Sequence, residues 1–111
     1  MFLKSLTVLC FSLFVMSCSM EIYDVDEHYY FTGFAGKVMP LRPTGRISED
    51  QSKVANPCVR TKFDDQNRVV LFEKYLDGIL FFRHEYSYAK NGKLAGAKIL
   101  DMKGNVREES F

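Results

Sequence analysis

The chain has 111 residues with 47% hydrophobic and 14% aromatic content, which fits one small folded domain and excludes a disordered or low-complexity protein. Lys and Arg number 15 against 14 Asp and Glu, with the signs interspersed, so the basic footprint of a nucleic-acid binder is missing. Ten Phe and six Tyr with no Trp suit pleated, half-buried surfaces better than helices.

Residues 1–4 form a short basic start, and residues 5–16 are an apolar run. About a dozen apolar residues match the hydrophobic region of a signal peptide and fall short of the roughly twenty that span a bilayer. Val15-Met16-Ser17-Cys18 follows. This resembles the lipobox of bacterial lipoproteins, with Val15 and Ser17 at the aliphatic and small positions and Met16 an unusual residue between them. The resemblance implies a leader over residues 1–17, cut before Cys18. It also implies a diacylglyceryl group on the Cys18 thiol, with a further acyl chain such as palmitate on the freed amine. Two or more chains hold a protein on a membrane where one does not, since each buried methylene contributes roughly 0.8 kcal/mol. Ser19 in place of Asp after the cysteine implies the outer membrane, facing the periplasm. The competing reading is an ordinary secretory signal cut near Ser17 or Ser19. The cysteines separate the two. Cys10 leaves with the leader in either case; with Cys18 lipidated, Cys58 has no cysteine to pair with, whereas an unmodified Cys18 makes a Cys18–Cys58 disulfide available.

Residues 18–27 carry Glu21, Asp24, Asp26 and Glu27 and read as a polar tether. Nine extended residues reach at most about 30 Å, so the domain over residues 28–111 sits close to the membrane. His28–Thr32 reads as a strand, and Lys37–Leu41 as a short edge strand among Gly33, Gly36, Pro40, Pro43 and Gly45, because Pro is tolerated only at edges or ends. Ile47–Asn56 is polar and reads as a loop or a single helical turn capped by Ser48, ended by Pro57. Beyond it, turn signals recur at Asp64-Asp65-Gln66-Asn67, Asp77-Gly78, Lys90-Asn91-Gly92 and Met102-Lys103-Gly104-Asn105, with 11, 14 and 12 residues separating Asn67, Gly78, Gly92 and Gly104. That spacing between aromatic and β-branched runs predicts strands at 58–63, 68–76, 79–89, 93–101 and 105–110. Leu80, Phe82, His84, Tyr86 and Tyr88 alternate with Ile79, Phe81, Arg83, Glu85 and Ser87, so the first set is expected on the core and the second toward solvent. Residues 68–76 are apolar on both sides, as in a central strand, and leave the inward side open. The expected fold class is all-β or mainly β: a small antiparallel β-meander of about five to seven strands after a cleaved signal peptide.

The segments Phe63-Asp64-Asp65-Gln66-Asn67-Arg68-Val69 and Tyr88-Ala89-Lys90-Asn91-Gly92-Lys93-Leu94 resemble the Tyr-Asp (Rhs-type) turn repeats of bacterial surface and toxin proteins, a hairpin signature of low specificity. A wider pattern runs from His28 to Val106 through Tyr30-Phe31-Thr32-Gly33-Phe34-Ala35-Gly36, Phe72-Glu73-Lys74, His84-Glu85-Tyr86-Ser87-Tyr88 and Asn91-Gly92. It resembles a small bacterial family of unknown function that shares this order of motifs, and the resemblance implies no activity.

Candidates for chemistry are few. His84 reads as a core or half-buried histidine bonded to a carbonyl or a tyrosine, and His28 as an exposed strand-start residue. Two histidines without spaced cysteine or carboxylate partners argue against zinc. Asp64-Asp65 reads as a turn former rather than a carboxylate pair or a calcium loop. Cys58, beside Pro57, reads as a buried, inert thiol, and a Cys58–His84 nucleophile pair requires a contact that sequence does not specify. Tyr29, Tyr30, Phe31 and Phe34 read as the first core strand rather than an exposed docking patch. No catalytic, cofactor-binding or metal residue is expected, and Cys18 is the one site assigned, for lipidation. The expected function is a non-enzymatic, membrane-anchored binding or envelope-structural module. Its partners are membrane lipid through Cys18 and a further protein, and not nucleic acid. An immunity or inhibitor lipoprotein acting on a toxin is the first alternative and a small periplasmic hydrolase the second.

Overall fold

A computed structural model describes residues 22–111. The expected leader, the lipobox and Cys18 lie outside the described residues. Seven antiparallel strands form one open sheet: β1 (Tyr29–Ala35), β2 (Arg42–Ile47), β3 (Cys58–Phe63), β4 (Val69–Leu76), β5 (Ile79–Tyr88), β6 (Leu94–Leu100) and β7 (Val106–Ser110). Their order across the sheet is β2-β1-β3-β4-β5-β6-β7. The five strands from β3 onward are the expected meander, within one residue of the predicted bounds at each end. The first two depart from it. β1 lies between β2 and β3, so the connection from β2 to β3 must cross β1. Residues 48–57 make that crossing, with the one short helix among the described residues, α1 (Glu49–Ser52). Ser48 caps it in a reciprocal box with Gln51: the Ser48 hydroxyl accepts from Gln51 N–H at 3.1 Å, and Gln51 Oε1 accepts from Ser48 N–H at 2.8 Å.

Lys37–Leu41 is not a strand. The edge strand is β2, one step later, and it contains both Pro43 and Gly45. Each reads as a breaker in the sequence, yet an outermost strand tolerates a proline whose missing N–H faces solvent. Gly45 is required by crowding and by conformation: its φ is +75°, and a Cβ there would run into the Thr32 hydroxyl. Residues 36–41 fold instead over the apolar side of the sheet, where Leu41 is buried and its N–H donates to the Tyr86 hydroxyl at 3.1 Å.

β1 pairs with β3 only over Tyr29–Phe31. Its second half stays with β2 and curls over the apolar face, so that Phe34 meets Phe72 edge-on at 5.2 Å and Phe82 at 6.0 Å. Phe31, Leu41, Val59, Phe63, Val69, Phe72, Tyr86 and Ala97 make the core. The aromatic cluster therefore divides. Phe31 is core, Tyr29 and Phe34 pack against it, and Tyr30 pairs with Arg60 and Ile47 on the opposite face. Tyr23, inside the segment read as a tether, stacks on Phe63 at 3.8 Å between ring centroids. Tyr23 lies five residues after Cys18, a span of about 17 Å at full extension.

Three of the turns share one hydrogen-bond pattern. Asp64 N–H donates to the Arg68 carbonyl and Asn67 N–H to the Asp64 carbonyl; residues 89–93 and 101–105 repeat both bonds, all between 2.8 and 3.1 Å. The fourth residue of each is left-handed: Asn67 (φ 62°), Gly92 (88°) and Gly104 (90°). This is the three-residue loop with a bulge expected after a type I turn. Asp64 behaves as the predicted turn former. Its Oδ1 accepts from Gln66 and Arg68 N–H at 2.9 Å each, and its Oδ2 accepts from Arg68 Nε at 2.8 Å. Partial burial alone would raise its pKa, but these bonds hold the carboxyl below its ordinary value. Asp64→Ala is expected to cost about 1.5–3 kcal/mol, the range for hydrogen bonds to a charged group. Asp65→Ala, at an exposed position, stays within about 0.5 kcal/mol. Urea midpoints at unchanged m-value measure both.

Candidate functional site

The strand register decides which polar side chains meet. On the face away from the core, Arg60 of β3 lies opposite Glu73 of β4, and Glu73 opposite Arg83 of β5. The three side chains form a ladder across the sheet. Arg60 Nε donates to Glu73 Oε1 at 2.7 Å, while Arg83 Nε and Nη2 reach Oε2 at 2.7 and 2.6 Å. Glu73 is 1% exposed and each arginine side chain 34%. Burial pushes the Glu73 pKa upward, but the hydrogen bonds and charges of the two arginines outweigh it and hold the carboxyl below its usual value. The same pair keeps Arg60 protonated, its pKa raised first by the bond to Glu73.

Beside the ladder lies a groove of about 390 Å³ whose floor carries Cys58 and Arg60. Tyr30 of β1 and Tyr75 of β4 flank it. Its rim is formed by the crossing segment 52–56 on one side and the Asp77-Gly78 hairpin on the other. Those two rims are tied together: Asn56 Nδ2 donates to Asp77 Oδ1 at 2.7 Å, and Asp77 N–H donates to Asn56 Oδ1 at 2.8 Å. Asp77 and Gly78 both have positive φ (54° and 78°), the signature of the two-residue turn that the Asp-Gly pair predicts. The Arg60 guanidinium sits 6.0 Å from the Tyr75 ring centroid, and Tyr75 Oη is 3.4 Å from Glu73 Oε1. This gives a concave surface with a fixed cation in its floor and an aromatic ring on either side.

The residues singled out in the sequence do not converge. Cys58 is buried on the ladder face, where burial raises its thiol pKa, so it has the character of an inert thiol. His84 lies on the core face opposite Phe72, with Nδ1 2.7 Å from Tyr86 Oη. The sheet itself separates the two, which removes the Cys58–His84 pair. Burial lowers the His84 pKa, with the Arg107 charge adding to it, and favours the neutral ring. The Tyr86 hydroxyl, which already accepts from Leu41 N–H, is placed to donate its own proton to Nδ1. His28 is half-buried ahead of β1, and its pKa is lowered by burial first and then by Arg60 and Lys62. Among the described residues, no three of His, Cys, Asp and Glu gather at metal-binding distance. Arg60, Glu73, Arg83 and Tyr75 are absent from the sequence-based candidates, and Tyr30 figures there only as part of the expected first core strand. The available signal is the Phe-Glu-Lys motif itself, which places an acid among core strands, where an unpaired charge is not tolerated.

No curated protein and no solved structure matches the chain. A family of unknown function, DUF6156, matches residues 24–111, from the segment just after the expected lipid anchor to the last residue of the chain. The chain belongs to the DUF6156 family.

Proposed function

We propose that this chain is a lipid-anchored protein of the bacterial envelope, held to the membrane at Cys18, and that its β domain is a non-enzymatic binding module using the groove beside the Arg60–Glu73–Arg83 ladder. The observation that carries the binding reading is that the groove is preformed. Its two rims are bonded to each other through Asn56 and Asp77, and the arginine in its floor is fixed by a buried carboxylate. Binding at a preorganised concave site avoids the ordering cost that weakens flexible surfaces. The anchor rests on Val15-Met16-Ser17-Cys18 at the end of the apolar run.

Expression of the full chain in bacteria fed a labelled fatty acid tests the anchor. The wild type is expected to take up label at an N-terminal Cys18 and to lose residues 1–17. Cys18→Ser is expected to take up none and to keep its leader. An unmodified Cys18 thiol in the mature wild-type protein, found by intact mass, overturns the assignment.

A further inference from the structure

The groove carries more than a shape, because its charge is uneven and its cation is aimed. Arg60 and Arg83 share the single carboxylate of Glu73, which leaves one net positive charge on the ladder itself, while Lys53 at the rim pairs with Asp50 at 3.5 Å and Asp77 is bonded to Asn56. Arg60 meets Glu73 through Nε at 2.7 Å. The guanidinium fork is planar and presents paired donors to a carboxylate, so an arginine braced at Nε is a prepared receptor for that group. Glu73 acts as a positioning residue: it is enclosed, it cannot itself reach a ligand, and it fixes the angle of Arg60. Tyr30 and Tyr75 stand on either side of the arginine, with Cys58 between strand neighbours in the floor and Val54 at the rim. Those surfaces suit a flat or apolar body, and Lys53, the other cation lining the groove, is already paired with Asp50.

We propose that the groove binds a monoanionic ligand, a carboxylate carried on a flat apolar body, with Arg60 as the carboxylate contact and Tyr30 and Tyr75 as the walls for the body. This deepens the binding-module reading and rests on it. The volume, about 390 Å³, lies within the range of roughly 300–1,000 Å³ typical of small-ligand clefts.

The test uses the full chain, isotope-labelled and held in detergent micelles, titrated with N-acetyl-L-phenylalanine and, separately, with its neutral C-terminal amide. NMR follows the Arg60 side-chain Nε–H and the backbone amides of residues 52–58 and 75–78. The acid is expected to shift these signals saturably and to bind about tenfold more tightly than the amide, the size expected for one charge-assisted hydrogen bond. In the double variant R60Q/E73Q the buried ladder keeps a hydrogen-bonded pair without the two charges. It is expected to retain the wild-type spectrum outside the groove and to lose the preference for the acid. Equal binding of acid and amide by the wild type overturns the ligand class and leaves the binding module standing. Failure of both probes to move the groove signals overturns both readings. The comparison of acid with amide needs no variant, so it stands even if the double variant does not fold.

Discussion

Phe72→Ala is expected to cost about 3–5 kcal/mol, the range for truncating a wholly buried aromatic. Phe72 has no exposed surface. It stacks on Phe82 with centroids 6.0 Å apart and planes 7° from parallel, and Phe34 meets it edge-on. The ring therefore joins the middle of the meander to the β1–β2 hairpin that folds over it. Its removal opens a cavity between the meander and the β1–β2 hairpin, which the Phe34–Phe82 contact and the Leu41–Tyr86 hydrogen bond still hold in place, so the space cannot close without moving β1. A domain this small sits toward the lower end of the usual stability of about 5–15 kcal/mol, so the variant loses most of its margin. Urea unfolding followed by tyrosine fluorescence and far-ultraviolet circular dichroism measures it. Phe81→Ala serves as the control, since Phe81 is 38% exposed at a bulge of β5 and its loss is expected to cost under about 1 kcal/mol. Equal losses at the two positions would remove Phe72 from its assigned place.

The five-strand meander was legible because its turns announce themselves. Asp-Gly at 77–78 has one favourable backbone geometry, and Asn67, Gly92 and Gly104 each supply the left-handed residue that ends a three-residue loop. The start of the sheet was less legible because its determinants are not local. Pro43 and Gly45 are acceptable in β2 only because β2 is outermost, a fact about sheet order that the local sequence does not carry. The inward side of β4 was ambiguous for a related reason. Phe72 faces the core while its neighbour Glu73, equally buried, faces the ladder, so burial alternates with no change in exposure.

Bulges explain why the ladder could not be read in advance. Counting outward from the 64–68 turn, the pairing Phe63↔Val69 would set Val59, not Arg60, opposite Glu73. An extra residue in β4, Val70, shifts the register so that Lys62 meets Leu71 and Arg60 meets Glu73. Counting back from Asp77-Gly78, Leu76↔Ile79 would set Phe82 opposite Glu73. Phe81 is the extra residue there, and Arg83 takes the place instead. The same bulge shifts Leu80 out of the row formed by Phe82, His84, Tyr86 and Tyr88, which puts it opposite Tyr75. A bulge moves every side chain beyond it by one position, and it is set by twist and neighbouring strands rather than by the residues on either side. The two bulges act in the same sense on Glu73: each exchanges an apolar neighbour for an arginine.

Arg83→Met is expected to cost about 3 kcal/mol near neutral pH, the lower end of the range for removing one partner of a buried ion pair. Methionine replaces the apolar stem, so the loss reports the missing charge and its two hydrogen bonds to Glu73 Oε2. The carboxylate has no route to water at 1% exposure, and Arg60 remains at Oε1, which keeps the cost from rising further. The sign of the pH dependence identifies the mechanism. In the wild type the Glu73 pKa is depressed, so its contribution is fully present above the unfolded carboxyl value of about 4.3 and is lost as pH falls through the lower folded value. In the variant, burial outweighs the single remaining arginine and the folded pKa rises above the unfolded one. Protonation then favours the folded state, so the variant recovers stability as pH falls through the raised value. The gap between wild type and variant therefore narrows on acidification from about pH 7 toward about pH 4. Arg107→Met removes only a largely exposed pair with Glu109 and is expected to cost no more than about 0.5 kcal/mol, with no such narrowing. A gap of constant size across that pH range would mean that Arg83 stabilises through its stem alone and that the ladder is not an electrostatic unit.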